Sequence, residues 1–199
     1  MPTSFTLVFA TNNEHKLAEI QAVLGDAFQL KTLKQINCLE EIPETQTTIE
    51  GNASQKAHYV ADNYKLACFA DDTGLEIEAL NGKPGVHSAH YAGEERSAEK
   101  NCALVLEQLA QQSNRTARFK TIISLIVNAT EIQFEGIVTG KIADSPRGTN
   151  GFGYDAIFIP DGSNFTFAEM SAEQKNAISH RSRAFAKLVE YLNSGRLLK

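Results

Sequence analysis

The feature that most restricts the fold is a short apolar run that leads directly into two adjacent acidic residues. Residues 66–70 (LACFA) have the composition of a buried strand, and Asp71-Asp72-Thr73-Gly74 follows without a spacer. Two neighbouring carboxylates repel each other, and burial raises the free-energy cost of charging both. A buried strand that ends in this pair therefore needs hydrogen bonds or a cation to offset the charge. Because Mg²⁺ prefers carboxylate and phosphate oxygens, the pair predicts a magnesium site; an exposed turn with two solvated aspartates is the alternative.

Strand and helix patterns alternate along the whole chain. Predicted strands cover residues 5–10, 27–33, 66–70, 75–80, 117–129, 131–140 and 154–159. Predicted helices start after Asn13, Thr48, Ser97 and Ser171, and each carries an apolar stripe at helical spacing. The stripes of the first and last helices contain Leu17, Ile20 and Leu24, and Ala184, Leu188 and Leu192. The last helix start reads S-A-E-Q, a capping box. No repeat or linker interrupts this order, so we predict a single α/β domain over residues 1–199 with a mixed sheet.

Charge and composition exclude several classes of protein. The net charge is -5 and hydrophobic residues make up 42% of the chain, which fits a globular protein without the basic stripe of a duplex-binding protein. Polymeric nucleic acid is therefore not an expected partner, whereas a small anion remains compatible. No segment approaches the roughly 20 apolar residues of a membrane span. Cys38, Cys68 and Cys102 form no CxxC pair, and the N-terminus has no basic signal-peptide region, so we expect a reduced, cytoplasmic protein.

A turn between the first strand and the first helix has the features of an anion site. It comprises Thr11, Asn12, Asn13, Glu14, His15 and Lys16. Backbone amides at a helix N-terminus, together with the helix dipole, favour a bound anion, and Lys16 lies within reach of a phosphate. The segment lacks the G-x-x-x-x-G-K-[ST] pattern of a Walker loop. A polar helix cap is the alternative interpretation.

Further acidic residues precede the second helix or lie in its first turn. They are Glu40, Glu41, Glu44 and Glu50. One of these carboxylates would complete a magnesium site beside the aspartate pair. Spacing does not choose among them, and solvated side chains are the alternative. Lys56 lies beside the apolar stripe of the second helix and not on its polar side.

Two segments nearer the C-terminus have the composition of a base-recognition site. The run Gly151-Phe152-Gly153-Tyr154-Asp155-Ala156 formally matches G-x-G-x-x-A, but a dinucleotide fingerprint requires a following helix and here a strand is predicted. Its glycines and aromatic rings suit a loop that stacks on a flat base; a tight turn with core aromatics is the alternative. Lys175 and Ser179, four residues apart on a predicted helix, precede His180 and Arg181. These donors suit phosphates or the exocyclic oxygen of a purine.

Together these segments resemble one family, the inosine triphosphatase-like pyrophosphatases that act on XTP, dITP and ITP. The matching segments occur in the family's order and span nearly the whole chain: FATNNEHKLAEI, ETQTTIEGNASQKA, FADDTGLEIEAL, KPGVHSAHYAG, SPRGTNGFGYDAIFIPDG and FAEMSAEQKNAISHRSRA. The resemblance implies an elongated α/β fold with a long mixed β-sheet, flanking helices, and two lobes with a central cleft. It also implies a homodimer and a requirement for Mg²⁺.

The resemblance also assigns roles to residues of this chain. Asp72 resembles the general base and a metal ligand, with Asp71 beside it, and Glu44 resembles the loop carboxylate that binds the metal. Substrate-binding roles are implied for the turn from Thr11 to Lys16 and for Lys56, Thr73, Phe152, Gly153, Tyr154, Asp155, Lys175, His180 and Arg181. At His90 the family often has arginine, a departure that bears on affinity or pH dependence. No third ligand accompanies His87 and His90 in the sequence, so we do not predict a zinc site.

The expected reaction is metal-assisted hydrolysis at the α-phosphorus, which gives a nucleoside monophosphate and pyrophosphate. Asp72 would orient or deprotonate the attacking water, and Lys16 and Lys56 would offset charge on the leaving pyrophosphate. The activity would remove deaminated purine nucleotides before they are built into DNA or RNA. Two alternatives remain: a related pyrophosphatase acting on pyrimidine or modified nucleotides, and a catalytically silent nucleotide-binding protein.

Overall fold

A six-stranded mixed sheet organises the chain. The computed structural model describes residues 5–11, 17, 20, 24 and 28–194. The strands are β1 (Phe5–Phe9), β2 (Phe28–Lys31), β3 (Cys68–Ile77), β4 (Thr116–Val127), β5 (Thr130–Ile142) and β6 (Phe158–Pro160). Their order in the sheet is β2-β1-β3-β4-β5-β6. β1 runs parallel to β2 and β3, whereas β5 and β6 are antiparallel, so the predicted α/β class with a mixed sheet is confirmed.

Four helices have bounds within the described residues. They are α1 (Ile49–Tyr64), α2 (Ala98–Gln108), α3 (Ala172–Ile178) and α4 (His180–Asn193). Three of the predicted helix starts are confirmed, because the hydroxyl oxygens of Thr48, Ser97 and Ser171 accept hydrogen bonds from the first turns of α1, α2 and α3. Leu17, Ile20 and Leu24 are helical as predicted, and the rest of that first helix falls outside the described residues. No helix in the described part of the chain is long and apolar enough to cross a membrane.

The chain forms two compact units. Unit 1 comprises Met1–Asp72, Ile122–Glu135 and Ala184–Lys199, and unit 2 comprises Thr73–Thr121 and Gly136–Arg183. Each of β3, β4 and β5 contributes residues to both units. The division into two lobes that the resemblance implies therefore has a counterpart in the structure.

Unit 1 buries apolar side chains on both faces of its sheet. Successive residues of a strand project to opposite faces, and along β1 Leu7 and Phe9 lie in one core cluster whereas Val8 lies in another. The first cluster is covered by the stripe of α4, which is buried as predicted: Ala184, Leu188 and Leu192. The second contains Ala57 and Val60 of α1. The sheet of unit 1 is thus enclosed by helices on both sides.

Unit 2 has one core cluster. The apolar face of α2 (Cys102 and Val105) and its C-cap residue Leu109 pack with Leu75 and Ile77 of β3 and with residues of β4, β5 and β6. β5 and β6 pair closely, since a Cβ atom on Gly140 would lie 2.2 Å from the carbonyl oxygen of Ile159. Glycine at this position therefore permits the edge strand to dock.

Four predicted elements are wrong in their bounds. The strands predicted at 66–70 and 75–80 form one continuous strand, β3, which ends at Ile77 in a 3-10 turn over Glu78–Leu80. The strand predicted at 154–159 is confined to Phe158–Pro160. The helix predicted from Ser171 is divided at Ser179, whose φ of -67° and ψ of 153° are extended. Lys175 and Ser179 therefore do not share a helix face.

Candidate active site

The acidic pair lies within strand β3 and not at a strand end. β1 pairs with β3 at Val8–Cys68 and Phe9–Phe69, and the amide of Ala10 still donates to the carbonyl oxygen of Phe69 at 2.8 Å. The recorded β1–β3 pairing thus stops just before Asp71 and Asp72, whereas β3 itself continues to Ile77. Asp71 and Asp72 therefore lie beside the carboxyl end of the parallel strand β1.

Adjacent positions in a strand place Asp71 and Asp72 on opposite faces of the sheet. Asp72 has the parity of Cys68 and Ala70, whose side chains lie in the core cluster shared with α1. Asp71 has the parity of Phe69, which belongs to the cluster on the other face, and it is 8% exposed. Asp72 therefore faces α1, and Asp71 adds negative charge from the far side.

Three predicted site residues meet at one ammonium group. Lys56 Nζ lies 2.5 Å from Glu44 Oε1 and 3.3 Å from Asp72 Oδ1. The side chains of Lys56 and Asp72 are 12% and 14% exposed, and that of Glu44 is 46% exposed. The structure thus brings Glu44, one of the acidic residues between which spacing does not choose, to the same ammonium group as Asp72. Its metal-binding role stays a prediction.

The electrostatics of this cluster are dominated by burial and by its excess of acid. Burial raises the pKa of Asp72 to about 6, an effect that Lys56 opposes and that Glu44 and Asp71 reinforce. Burial alone would lower the pKa of Lys56, but the three carboxylates outweigh it and the pKa is raised above its ordinary value. Lys56 therefore stays charged at neutral pH, while Asp72 titrates close to neutrality.

The loop that carries Glu44 is tied to α1 by two amide side chains that the sequence analysis missed. Gln55 accepts from the Thr45 amide and donates to the Thr45 hydroxyl, both at 2.9 Å. Asn52, which is buried, accepts from the amide of Gln46 at 2.9 Å. The only signal in the sequence is that both amides lie on the helix that carries Lys56, within one turn of it.

We expect Gln55→Ala to lower kcat by up to about tenfold, because Glu44 loses the bonds that hold its loop and small displacements of a catalytic group are costly. The free energy of unfolding should fall by less than about 1.5 kcal/mol, since both hydrogen bonds are exposed. Asn63→Ala is the matched control, because Asn63 is an exposed amide of α1 that donates to the carbonyl of Tyr59 in the same helix. Equal activity of the two variants would show that Gln55 does not position Glu44.

The donor set around Lys56 is of the type that Mg²⁺ uses. Glu44 and Asp72 present carboxylate oxygens to one point. Burial is the main cause of the raised pKa of Asp72, and the nearby Glu44 and Asp71 add to it, so a cation would stabilise the ionised carboxylate. Within the ranges that the structure describes, no three His, Cys, Asp or Glu side chains converge on a metal-sized site. An ion held here would therefore complete its coordination with water and substrate oxygens, as Mg²⁺ commonly does.

The predicted anion turn is only partly visible. The Thr11 amide donates to the carbonyl of Phe9, and the Thr11 carbonyl accepts from the amide of Leu33 at 3.2 Å. Asn12, Asn13, Glu14, His15 and Lys16 lie outside the described residues. Their phosphate-binding role stays a prediction.

A second cluster of predicted residues lies in unit 2 around Asp155. This carboxylate is 3% exposed and accepts from Lys175 Nζ at 2.5 Å and from the amide of Phe152 at 2.8 Å. Gly151 has a φ of +76°, and a Cβ atom there would lie 2.1 Å from Asp155 Oδ2. Glycine is thus required both for the backbone turn and for the close approach of the carboxylate.

Phe152 projects an exposed aromatic ring beside two cations. Phe152 is 65% exposed. Lys175 Nζ lies 4.8 Å and Arg181 Cζ lies 5.5 Å from the ring centroid. An exposed ring with flanking hydrogen-bond donors has the composition needed to stack on a base and to recognise its oxygen.

Other predicted contacts of unit 2 are more enclosed. His180 is 4% exposed, and its ring stacks on that of Phe119 with centroids 4.6 Å apart. Tyr154 is 4% exposed, lies in the unit 2 core and donates to the carbonyl of Ser88 at 2.9 Å. The Thr73 hydroxyl forms a 2.8 Å hydrogen bond with that of Thr121. These contacts position the segments, and direct contact of Tyr154 with substrate stays a prediction.

The two histidines form a pair on a turn. His87 Nδ1 and His90 Nε2 are 3.4 Å apart, and the rings meet edge to face with centroids 5.4 Å apart. His90 thus has a hydrogen-bonding partner three residues earlier in the chain.

Comparisons with known proteins agree with this arrangement. The chain matches the model of the Ham1 family over residues 7–191. It is 50% identical over 188 residues to the dITP/XTP pyrophosphatase of Flavobacterium johnsoniae, a match that covers 94% of this chain and 98% of the relative. The protein of the same name from Porphyromonas gingivalis is 51% identical over 187 residues, with 94% and 96% covered.

A solved structure has the same fold. The Staphylococcus aureus Ham1 protein aligns with a TM-score of 0.92 at 37% identity, and the alignment covers 96% of this chain and 100% of that chain. Sequence and structure thus agree over nearly the full length, through both units and both clusters of predicted residues. The chain belongs to the Ham1 family.

Proposed function

We propose that the chain hydrolyses the non-standard purine nucleoside triphosphates ITP, dITP and XTP to the monophosphate and pyrophosphate, with Mg²⁺ as cofactor. Two relatives that are half identical to it over nearly their whole length are named dITP/XTP pyrophosphatase. The observation that carries the proposal is the convergence of Glu44 and Asp72 on the Lys56 ammonium group. This convergence supports the proposal because carboxylates of the kind that hold a metal lie beside a cation that would contact phosphate oxygens.

Asp72 is the proposed general base. Its pKa of about 6 lies close to neutrality, which is favourable for a group that must be ionised before it accepts a proton from water. The water oxygen attacks the α-phosphorus, its proton passes to Asp72, and the bond from this phosphorus to the bridging oxygen breaks. Pyrophosphate then leaves with the electron pair of that bond.

Lys56 is the proposed electrostatic contact for the phosphates. Its charge is held by the surrounding carboxylates, so it is available to stabilise negative charge that develops on the leaving group. Glu44 and Asp72 would hold Mg²⁺, which when bound supplies charge neutralisation on the phosphate oxygens. Asp71 contributes to the same field from the opposite face, and Lys16 is a further proposed phosphate contact.

The Asp155 cluster is proposed to recognise the base. The exposed Phe152 ring offers a stacking surface, and Lys175, His180 and Arg181 offer donors for the 6-oxo group that inosine and xanthosine share. A site that hydrogen-bonds this oxygen rejects the 6-amino group of adenosine. Rejection of GTP requires a further contact at position 2 of the base.

The proposal includes a cellular role. Hydrolysis of deaminated purine triphosphates would keep inosine and xanthosine out of DNA and RNA. We propose that the protein does this in the cytoplasm and as a homodimer.

A nucleotide panel tests the proposal. We expect pyrophosphate release from ITP, dITP and XTP, and much slower release from ATP and GTP. We also expect the release to depend on added Mg²⁺ and to be lost with a chelator. Equal rates on ATP would refute the purine selectivity, turnover of pyrimidine triphosphates alone would favour the related pyrophosphatase, and tight ITP binding without pyrophosphate would favour a silent binding protein.

A further inference from the structure

Glu131 anchors the helix that carries Lys56, although it lies on another element. It is the second residue of β5, and its Oε2 lies 3.1 Å from His58 Nε2 of α1. Ser54, one helical turn earlier, also lies close enough for its hydroxyl to lower the pKa of this carboxylate. A single side chain of the sheet therefore contacts two successive turns of α1.

The carboxylate is itself held rigidly by the sheet. Glu131 Oε1 accepts from the hydroxyl of Ser124, which is fully buried on β4, at 2.7 Å. It also accepts from Gln133 Nε2 at 3.1 Å, and the same amide nitrogen donates to the carbonyl of Glu50 in the first turn of α1. Burial would raise the pKa of Glu131, but these hydrogen bonds outweigh it and lower the pKa.

The geometry of a helix connects this anchor to the candidate site. Ser54 and His58 are four residues apart and lie on one face, whereas Lys56 is two residues from each and projects about 200° around the axis. Glu131 therefore restrains the rotation of α1 from one side of the helix. Any rotation would displace the Lys56 ammonium group on the opposite side. Because Lys56 Nζ contacts Glu44 and Asp72 at 2.5 and 3.3 Å, a small rotation would change both contacts.

We propose that Glu131 is a positioning residue for the reaction, and that it sets the rotation of α1 and thereby holds Lys56 between Glu44 and Asp72. This inference rests on the proposed function for its kinetic consequence. Its structural consequence, the placement of Lys56, is independent of any substrate.

The test compares Glu131→Ala with a control that loses a similar carboxylate from a strand of unit 2. Glu76 of β3 contacts Arg118 Nε at 2.5 Å, and its side chain is 23% exposed against 27% for Glu131. Their partners Arg118 and His58 are equally exposed, at 48%. Glu76→Ala thus removes a carboxylate contact of similar exposure that has no contact with α1 among those described.

The first measurement is the rate at which acetic anhydride modifies Lys56 in the full-length protein without nucleotide, followed by peptide mass spectrometry. Glu131→Ala should increase this rate several-fold, because Lys56 leaves its carboxylates, while Glu76→Ala leaves it unchanged. The second measurement is kcat for ITP, which Glu131→Ala should lower by about tenfold or more while Glu76→Ala does not. Glu131→Gln, which keeps an acceptor oxygen, should lie between Glu131→Ala and the parent in both measurements.

Equal modification of Lys56 in the alanine variants of Glu131 and Glu76 would overturn the proposal, whatever their melting temperatures. If Glu131→Ala does not fold, His58→Ala provides the same comparison at a half-exposed position. A parent protein that releases no pyrophosphate from ITP would refute the proposed function instead, and the modification rates would still decide the role of Glu131.

Discussion

Asp72→Asn is expected to lower kcat for ITP by about 10²–10⁴-fold, the range typical of a positioned general base. The substitution preserves the shape of the side chain and removes the charge needed to accept a proton from water. Folding should be retained, because the buried environment already disfavours that charge and the pKa of Asp72 is raised for this reason. Initial rates of pyrophosphate release, together with a thermal melt of the same sample, measure both effects.

Asp161→Asn is the control for this variant, since Asp161 is an exposed aspartate of unit 2 to which we assign no role. Its rate should equal that of the parent. An Asp72→Asn protein that is folded and turns over ITP at near the parental rate would contradict the assignment of the base. The reaction would then need a base other than Asp72, alongside the proposed metal ligand Glu44 and phosphate contact Lys56.

Asp155→Ala is expected to destabilise the protein by about 3–5 kcal/mol, the range for removing one partner of a buried ion pair. Asp155 and Lys175 have side chains that are only 4% and 14% exposed. Without the carboxylate, the ammonium group stays buried without its countercharge, and the amide of Phe152 loses its acceptor. Urea unfolding at neutral pH measures the loss.

Two further variants separate pairing from packing at this position. Asp155→Ala combined with Lys175→Met should recover part of the lost stability, because the uncompensated charge is removed. Asp144→Ala should cost no more than about 1 kcal/mol, since Asp144 is 93% exposed beside Arg115 and exposed ion pairs contribute little. Equal losses for the alanine variants of Asp155 and Asp144 would show that the buried pair does not stabilise unit 2.

Local signals in the sequence predicted three helix starts correctly. Thr48 and Ser97 cap α1 and α2, and both hydrogen bonds of the Ser171–Gln174 capping box are formed. These contacts join residues three apart, so the chain encodes them without knowledge of the fold. β4 and β5 are likewise neighbours in the sheet, and only Asn128 and Ala129 separate them along the chain.

The wrong boundaries arise where distant residues decide the local structure. Asp71, Asp72 and Gly74 have the composition of a turn, but pairing within the sheet keeps β3 extended through them. Tyr154 has strand propensity, yet its hydroxyl bonds to Ser88 and its ring packs in the core, which leaves only Phe158–Pro160 to pair with β5. Neither the strands that pair with β3 nor the contact of Tyr154 with Ser88 can be identified from the neighbouring sequence.

In the candidate site, too, some residues are predictable from the sequence and others depend on contacts between distant residues. The residue types at Asp72 and Lys175 predicted metal and base chemistry, whereas the phosphate role of Lys56 was implied only by the family resemblance. The choice of Glu44, the support from Gln55 and the anchoring role of Glu131 depend on side-chain contacts between separate elements. Spacing along the chain carries no information about such contacts.

The threading of the chain through its two units has a consequence for biosynthesis. Nascent domains usually fold in the order in which they leave the ribosome. Here unit 1 contains the segment that is synthesised first, Met1–Asp72, but it is completed last. It also needs the later segments Ile122–Glu135 and Ala184–Lys199. Until α4 is translated, Leu7, Phe9 and Phe69 lack the cover of Ala184 and Leu188, so the growing polypeptide carries an exposed apolar face until that helix has emerged.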